Sequence, residues 1–381
     1  MGRGRRRGRG GVLTTRPRVV VLRGHHANIG ELRPWELLRD RYEIEVVTTA
    51  RADQQLEGLD VPWTTARTRR ARLPRGRLGT LATHLIGDAY LDVEALVRGA
   101  AIVHTAELGP WFAAQPARLR REYRFRLVST VWETIPFRAT FRTTRAATNR
   151  RALLAETDLF LPTTERARRC LLLEGADDER IQVVEPGIDV DRFGAGSARP
   201  GEGHLIVSPG RLVWEKGHYD VIRALATVAA EPRLLIVGAG PERTRLLRYA
   251  DDLGLGERVE VRPVAYDEMP SVFAGASCVV LASLPTKTWE EQFGLVLAEA
   301  LAAGAPVIAS SSGAIPEVLE GSGAPLFTPG DWLGLARLLE AGPLAAPPAQ
   351  RVAYPAEVVQ KYSTQAAAER LASAYDRVLT G

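Results

Sequence analysis

The chain has 381 residues, of which 45% are hydrophobic and 25% are charged, and its formal net charge is +5. A chain of this length fits two domains of common size, and no apolar run approaches the roughly 18 residues that a membrane-spanning helix needs. The two cysteines, Cys170 and Cys278, lie in apolar or helical stretches without metal-ligand spacing, which argues against a disulfide framework or a zinc site. We therefore expect a globular, cytoplasmic protein of two domains.

Basic residues are concentrated in the first half of the chain. Residues 1–16 form an Arg/Gly-rich tail that we expect to be disordered, because it has too few apolar residues to pack or to act as a signal peptide. Residues 1–196 carry 34 basic and 24 acidic side chains, whereas residues 197–381 carry 16 and 21. Two arginine clusters, at 67–77 and 118–126, could bind phosphate-bearing acceptors, anionic lipid headgroups or nucleic acid. A solvated surface is the simpler interpretation, since only three of the 50 basic residues are lysines and arginine is the usual cation of this chain.

Short apolar and β-branched runs recur along the first half, with enough residues between them for helices. The runs are RPRVVVLRG (16–24), RYEIEVVTTA (41–50), AAIVHTA (100–106), FRLVSTVWE (125–133), DLFLPTT (158–164) and IQVVEPG (181–187). Such alternation of strands and helices predicts a parallel, doubly wound sheet.

The same alternation of short apolar runs and helix-length segments begins again after a segment rich in Gly, Pro and Ser at 194–203. The second set of runs is HLIVSPGRL (204–212), RLLIVGAGP (233–241), RVEVRPVA (258–265), CVVLASLP (278–285) and APVIASSSG (305–313). The end of the chain has apolar residues at helical spacing, which predicts an amphipathic helix. We therefore predict a first domain over 17–193, a linker over 194–203, a second domain over 204–360 and a terminal helix over 361–381.

The turn SPGRLVWEKG (208–217) in the second half is the first candidate ligand site. Open α/β sheets bind ligands beyond the carboxyl ends of their strands. Here Gly210 ends a strand, and Arg211 and Lys216 flank the turn that leads into the next helix. Two cations beside a Gly-rich turn suit a diphosphate, although a salt-bridged helix start would have the same sequence.

The segment WEEQFGLVLAEALAAGAPVIAS (289–310) is the second candidate site. Phe293 and Gly294 open a predicted helix, whose first N–H groups favour a bound anion. Glu291 precedes this start and Glu299 lies inside the helix. Because a phosphate would repel both carboxylates, neutral sugar and ribose hydroxyls are their natural partners. The turn at 238–243 lacks the third glycine of a dinucleotide-binding fingerprint and is interpreted as a tight strand-to-helix turn.

Taken together, these motifs resemble the retaining glycosyltransferases of family 4, which have the GT-B architecture. The resemblance covers about 158–320, through TDLFLPTTERARRCLLLEG, IQVVEPGIDVDRF, SPGRLVWEKG, LLIVGAGP and EEQFGLVLAEALAAGAPVIASSSGAIPEVL. It implies an α/β protein of two Rossmann-like domains facing across a cleft, with the C-terminal helix returning to the first domain.

The resemblance also implies roles for individual residues. Arg211 and Lys216 would stabilise the leaving diphosphate, Glu291 would meet the donor sugar, and Glu299 would hold the ribose. The loop RPVAY (262–266) would face the base. The other predicted donor-binding positions are Gly30, Gly210, Val264, Gln292, Phe293, Gly294 and Leu295.

The first half departs from the family pattern in two places. Asn28 stands in the family's Gly-Gly turn, so that only Gly30 remains for a diphosphate contact. The strand at 125–133 ends in Trp132 and Glu133, where family members often have a histidine that positions the donor sugar. We predict that Trp132, Glu133 or His104 serves the acceptor or positions the sugar. A structural role for His104 and a core position for Trp132 are the alternatives.

No metal or cofactor is expected. Asp189 and Asp191 imitate a metal-binding Asp-x-Asp, but they match the family's interdomain segment. The charge of the leaving group can instead be met by Arg211, Lys216 and the helix start.

We predict retaining transfer of a hexose from a nucleotide diphosphate sugar, UDP- or GDP-linked, to a hydroxyl of a saccharide, a lipid-linked molecule or a small molecule. A nucleotide-sugar 2-epimerase of the same architecture and a non-catalytic nucleotide-sugar-binding module are the alternatives. We expect no nucleic-acid partner, and a lipid acceptor would call for peripheral contact with the inner face of a membrane.

Overall fold

The computed structural model describes residues 16–24, 27, 29–49, 56, 58–73, 76, 78, 88–138, 144–197 and 203–381. The predicted tail up to residue 15, Asn28, and residues 198–202 of the predicted linker lie outside this set.

The first domain is built on a six-stranded parallel sheet with strand order β3-β2-β1-β4-β5-β6. Its strands are β1 (Arg18–Gly24), β2 (Glu43–Thr49), β3 (Trp63–Ala66), β4 (Ile102–Ala106), β5 (Arg126–Val131) and β6 (Leu159–Pro162). Its helices are α1 (Ile29–Glu36), α2 (Val93–Val97), α3 (Trp111–Tyr123), α4 (Thr144–Glu156) and α5 (Glu165–Leu173). In β1, Val21 packs into one apolar core and Val20 into another, because helices cover both faces of the sheet.

The second domain repeats this plan with strand order β12-β11-β10-β7-β8-β9. Its strands are β7 (Leu205–Pro209), β8 (Arg233–Val237), β9 (Val259–Arg262), β10 (Cys278–Leu281), β11 (Val307–Ser310) and β12 (Leu326–Phe327). The helices from the domain junction onward are α6 (Val190–Gly194), α7 (His218–Leu225), α8 (Arg243–Asp252), α9 (Met269–Ala274), α10 (Leu295–Ala302), α11 (Ile315–Val318), α12 (Trp332–Ala341), α13 (Ala356–Gln360) and α14 (Thr364–Thr380). The predicted α/β class with two Rossmann-like domains is thus confirmed.

The terminal helix α14 belongs to the core of the first domain. Ser363 caps its start by accepting a hydrogen bond from the N–H of Ala366 at 3.1 Å. Tyr375 is fully buried, and its hydroxyl accepts a hydrogen bond from the Trp35 indole at 2.9 Å. The predicted return of this helix to the first domain is therefore confirmed. The helix packs in one apolar core with residues of β1, α1 and β2.

Two strands were missed and one predicted strand is wrong. The strand β3 has a mostly exposed sequence, WTTA, and β12 has only two residues, so neither produces an apolar run. The segment IQVVEPG (181–187) forms a single bridge from Ile181 to Phe160 and is otherwise an extended connection beside β6. Pro186 and Gly187 end this segment. An apolar run beside an edge strand can lie against it without forming the continuous backbone hydrogen bonds of a β-strand.

The arginine cluster at 118–126 is partly neutralised within the first domain. The guanidinium of Arg120 binds the carboxylate of Asp158, Arg121 pairs with Glu156, and Arg126 also reaches Asp158. This leaves less charge on that surface for an anionic partner than the sequence suggests. Of the helices in the described parts of the chain, none is both long and apolar enough to cross a membrane.

Candidate functional site

A cavity of about 1020 Å³ lies between the carboxyl ends of the two sheets. Ligands of doubly wound folds bind at this edge, where loops from several strands converge. Its charged and aromatic lining consists of Arg23, Glu31, Phe112, Glu107, Trp132, Glu133 and Arg138 from the first domain and Arg211, Lys216, Trp289, Glu291 and Phe293 from the second; Gln292, Gly294 and Leu295 complete the second wall. The cleft therefore has one wall from each domain, and we call them the first-domain wall and the second-domain wall.

The turn after β7 brings Arg211 and Lys216 to the second-domain wall. Gly210 donates its N–H to the carbonyl of Val237 at 2.9 Å, which ties the turn to β8. Gly217, with a φ of 67°, ends the turn, and a Cβ there would lie 1.9 Å from the carbonyl oxygen of Ala282. Only glycine fits at this position, and helix α7 begins at the next residue, His218.

Lys216 and Glu291 form a nearly buried ion pair. The Lys216 ammonium lies 2.6 Å from the Glu291 carboxylate, and the two side chains are 12% and 9% exposed. The Ser283 hydroxyl donates to the same carboxylate oxygen at 2.6 Å, and the ring centre of Trp289 lies 5.2 Å from the ammonium. Removing either charge would leave the other buried without compensation. The two predicted site residues are thus held together before any ligand binds.

Arg211 is the more available cation of this wall. It is exposed, and no acidic side chain in the described parts of the chain pairs with it. A guanidinium presents a planar fork of donors that matches two oxygens of a phosphate. Arg211 can therefore bind an anion without first giving up a partner.

The start of α10 supplies a further positive end to the same wall. Gly294 precedes this helix with a φ of 84°, and no side chain caps its first N–H groups. The ring of Phe293 is buried between Trp132 and Tyr362, with centroid distances of 6.2 and 5.4 Å. This anchoring holds the helix start toward the cavity, where its partial charge favours an anion.

Glu299 and Val264 lie behind the cavity wall and do not line it. Glu299 is buried within α10, and burial raises the pKa of its carboxyl to about 8, against the opposing effects of the Tyr266 hydroxyl and Arg192. A protonated carboxyl can donate as well as accept a hydrogen bond. Val264 packs beside the same apolar core of the second domain.

Gly30 and Asp189 each lie at the start of a helix. Gly30 lies in the first turn of α1, and its neighbour Glu31 reaches the cavity instead, where it pairs with Arg23. The Asp189 carboxylate accepts the N–H of Arg192 at 3.1 Å and so caps α6. Neither residue is part of the cavity lining, and the diphosphate contact of Gly30 stays a prediction.

In the structure, His104 has the structural role that was the alternative to positioning the sugar or the acceptor. His104 lies inside β4, is fully buried, and has hydrogen-bond partners on both ring nitrogens, the hydroxyls of Tyr375 and Thr130, each at 2.7 Å. Burial lowers its pKa to about 3, so the ring is neutral. His104 fixes the terminal helix to the sheet, and Trp132 and Glu133 are the members of this predicted group that face the cleft.

Comparisons with known proteins identify the family. The model for Glycosyltransferase Family 4 matches residues 35–192, and the model for Glycosyl transferases group 1 matches residues 189–341. The chain belongs to the family 4 glycosyltransferases of GT-B architecture.

Solved structures of the same fold include Anabaena HepE in complex with UDP and glucose, at 20% identity and a TM-score of 0.71, with 95% of this chain and 100% of HepE covered. The UDP-GlcNAc 2-epimerase of Methanocaldococcus jannaschii is also similar, at 15% identity and a TM-score of 0.57, over 95% and 99% of the two chains. The D-inositol 3-phosphate glycosyltransferase of Mycobacterium tuberculosis is 34% identical over 173 residues, which span 42% of this chain and 35% of that relative. These similarities support the fold and family, and the matched segment is only about a third of the mycobacterial protein.

In this family 4 glycosyltransferase, His218 is a site residue that the sequence analysis missed. Its Nδ1 lies 2.8 Å from the Ser208 hydroxyl, and its Nε2 lies 3.2 Å from the carbonyl oxygen of Arg211. Burial lowers the pKa of His218 to about 4, so that a neutral ring accepts from Ser208 and donates to Arg211. His218 thereby connects α7 to the backbone that carries the exposed cation. Its position directly after Lys216 and Gly217 is the signal that could have indicated this role.

Glu107 is a second residue that was missed. It follows β4 with a φ of 68°, and its carboxylate accepts the N–H of Trp132 at 3.0 Å. Burial, with a smaller contribution from Glu133, raises the pKa of the Glu107 carboxyl to about 7. A single glutamate in a loop has no motif around it, so only the fold reveals that it faces the cleft.

The two domains contact each other beside the segment that carries Glu291. The guanidinium of Arg166 on α5 contacts both carboxylate oxygens of Glu290, at 2.5 and 2.7 Å. The carboxylate of Glu317 accepts the N–H groups of Glu165 and Arg166 at 2.6 and 3.2 Å, and so caps α5 from the other domain. Because Glu290 directly precedes Glu291, this junction links the relative position of the domains to the second-domain wall.

Proposed function

We propose that this protein is a retaining, metal-independent glycosyltransferase that moves a hexose from a nucleotide diphosphate sugar to an acceptor hydroxyl. The observation that carries the proposal is the second-domain wall. It combines an exposed Arg211, the Lys216–Glu291 ion pair and the uncapped start of α10 at one edge of the cavity. This set suits a diphosphate bound beside a hydroxyl-rich sugar.

The proposed chemistry is assisted departure of the nucleoside diphosphate. The bond between the anomeric carbon and the diphosphate oxygen breaks, the acceptor oxygen bonds to the anomeric carbon on the same face of the sugar, and the proton of the acceptor hydroxyl passes to the departing diphosphate. Negative charge grows on the leaving oxygen, and in this proposal Arg211, Lys216 and the α10 N–H groups stabilise it. When the diphosphate shares Lys216, Glu291 becomes available to accept hydrogen bonds from the sugar hydroxyls.

The donor proposal receives support from a structural relative. HepE binds UDP together with glucose, and it covers almost the whole of this chain. We propose a UDP-linked hexose as the first donor to test and a GDP-linked hexose as the second. In this proposal, Glu299 and the loop at 262–266 would hold the nucleoside behind the cavity wall.

The test is a thermal-shift titration of the purified protein with UDP-glucose, GDP-mannose, UDP-N-acetylglucosamine and ADP-glucose, without added metal. Selective stabilisation by one donor is expected, because a ligand that binds only the folded state raises its stability. Glu299→Ala should weaken this stabilisation if Glu299 holds the ribose. Lys287→Ala, which changes an exposed lysine of the same domain, serves as the matched control.

Product analysis then separates the transferase from the epimerase that shares its fold. A transferase releases sugar slowly to water when no acceptor is present, whereas an epimerase converts UDP-N-acetylglucosamine to its isomer. Donor binding with neither hydrolysis nor transfer would favour a binding module. Absence of stabilisation by all four donors would contradict the proposed function.

A further inference from the structure

Trp289 is an aromatic residue of the second-domain wall to which the proposed function gives no role. Its half-buried side chain lines the cavity, and the Lys216 ammonium lies over its ring, 5.2 Å from the ring centre. An aromatic ring attracts a cation over its face, and the attraction grows when the cation is withdrawn from water. The side chain of Lys216 is only 12% exposed, so the contact with Trp289 falls in this stronger range.

The loop that carries Trp289 is tied to the turn that carries Lys216. The Leu284 N–H donates to the carbonyl of Glu215 at 2.7 Å, directly beside Lys216. Within the loop, the Thr286 N–H donates to the carbonyl of Trp289 at 2.6 Å, and the Trp289 N–H donates to the hydroxyl oxygen of Thr286 at 2.9 Å. Bonds within the protein therefore fix the backbone of Trp289 relative to the ammonium.

The two partners of the ammonium differ in how they respond to a diphosphate. Glu291 neutralises Lys216, and in the proposed function it turns to the sugar hydroxyls once the diphosphate shares this cation. The indole has no net charge, so it leaves the charge of Lys216 available to a phosphate. It also covers the ammonium against water, and an attraction between charges is stronger where water is excluded. Trp289 can therefore keep Lys216 in place while negative charge grows on the leaving group.

We propose that Trp289 is a positioning residue, whose ring face holds Lys216 against the departing diphosphate. This inference rests on the proposed transferase function and adds a residue that acts on the reaction through Lys216. The competing role for an aromatic side chain in this cavity is a direct stacking contact with the donor sugar. The two roles give different kinetics, because stacking would act on donor binding without Lys216.

The experiment measures release of the nucleoside diphosphate by the full-length protein without an acceptor. The probe is whichever of the four nucleotide sugars named above gives the largest thermal shift. Trp289→Leu keeps an apolar side chain but removes the ring face, so kcat for this release should fall about tenfold while the donor KM stays unchanged. Trp289→Phe, which retains a ring face, should recover most of the lost kcat. Thr288→Val, at an exposed position of the same loop, is the matched control.

A double-variant cycle with Lys216→Ala separates the two roles. If Trp289 acts through Lys216, adding Trp289→Leu to Lys216→Ala should slow the release no further. A further loss of similar size in the double variant, or a raised donor KM in Trp289→Leu alone, would overturn the inference in favour of stacking on the sugar. Equal kcat values in the Leu and Phe variants would overturn it as well, since the ring face would then have no effect.

Thr286→Val provides a second route if Trp289→Leu does not fold. It keeps the indole but removes the hydroxyl oxygen that accepts the Trp289 N–H, so kcat should fall about threefold, and only when Lys216 is present. Unchanged release in Thr286→Val would then overturn the inference. A protein that neither binds a donor nor releases nucleoside diphosphate would instead contradict the proposed function, so the two failures are distinguishable.

Discussion

The two walls of the cleft differ in how they are built. The second-domain wall comes from two short continuous segments, 208–217 and 289–299, whose glycines, cations and helix start lie within a few residues of one another. The first-domain wall is assembled from the ends of β1, β4 and β5, the connections that follow them, and helices α1, α3 and α4, with only a few residues from each. Binding a diphosphate needs a fixed local backbone geometry, whereas meeting a particular acceptor needs only scattered side chains. Local motifs therefore reveal the second-domain wall and hide the first-domain wall.

The largest expected effect comes from removing either cation of the second-domain wall. Arg211→Ala and Lys216→Ala should each lower turnover by roughly 10² or more, because loss of one preorganised group at a developing charge costs about 2–4 kcal/mol of barrier. Lys216→Ala should also lower the thermal midpoint, since it leaves the Glu291 carboxylate buried and unpaired. Steady-state kinetics and thermal unfolding measure both effects, with Lys287→Ala as the control. Turnover near that of the unchanged protein in both variants would invalidate the assignment of these cations.

A smaller effect is expected from His218, which supports this wall without touching the cavity. His218→Asn should lower kcat by about tenfold and leave acceptor KM unchanged, because the carbonyl of Arg211 loses its bond to the ring. Since burial lowers the pKa of His218 to about 4, below its ordinary value near 6.5, its contribution to stability is complete above pH 6.5 and is lost as the pH falls toward 4.

The measurement for His218 is thermal unfolding between pH 4 and 7.5. Acidification should lower the midpoint of the unchanged protein relative to that of His218→Asn, because only the unchanged protein gains a proton at His218 on unfolding. Glu107 and Glu299, whose pKa values are raised by burial, oppose this fall equally in both proteins. His104, whose pKa is also lowered by burial, remains in both proteins and accounts for part of the slope. Identical slopes would show that His218 does not titrate as its burial implies.

Much of the fold could be predicted because its strands are short apolar runs between helix-length segments, and the apolar spacing of the last helix was equally clear. The exposed edge strand β3 could not be predicted, since WTTA has no buried face. His104 shows the limit for sites. Its role depends on Tyr375, which is 271 residues away along the chain, so no local pattern distinguishes a histidine in the sheet from one at its edge. Glu107 was missed for the same reason, because its partner Trp132 lies on another strand end.

The smallest expected effect concerns the Arg166–Glu290 ion pair, which links the two domains and so helps to fix the relative position of the two walls. Glu290→Gln should raise donor KM two- to threefold and lower the thermal midpoint slightly, because Arg166 is 48% exposed and solvent screens much of its attraction to Glu290. Arg166→Ala should have an effect of similar size, and the double variant should lose little more than either single one, since both remove the same pair. Glu320→Gln, an exposed glutamate near α11, is the control. Additive losses in the double variant would mean that the two side chains act separately, and that the domain junction is held by the Glu317 cap on α5 rather than by this ion pair.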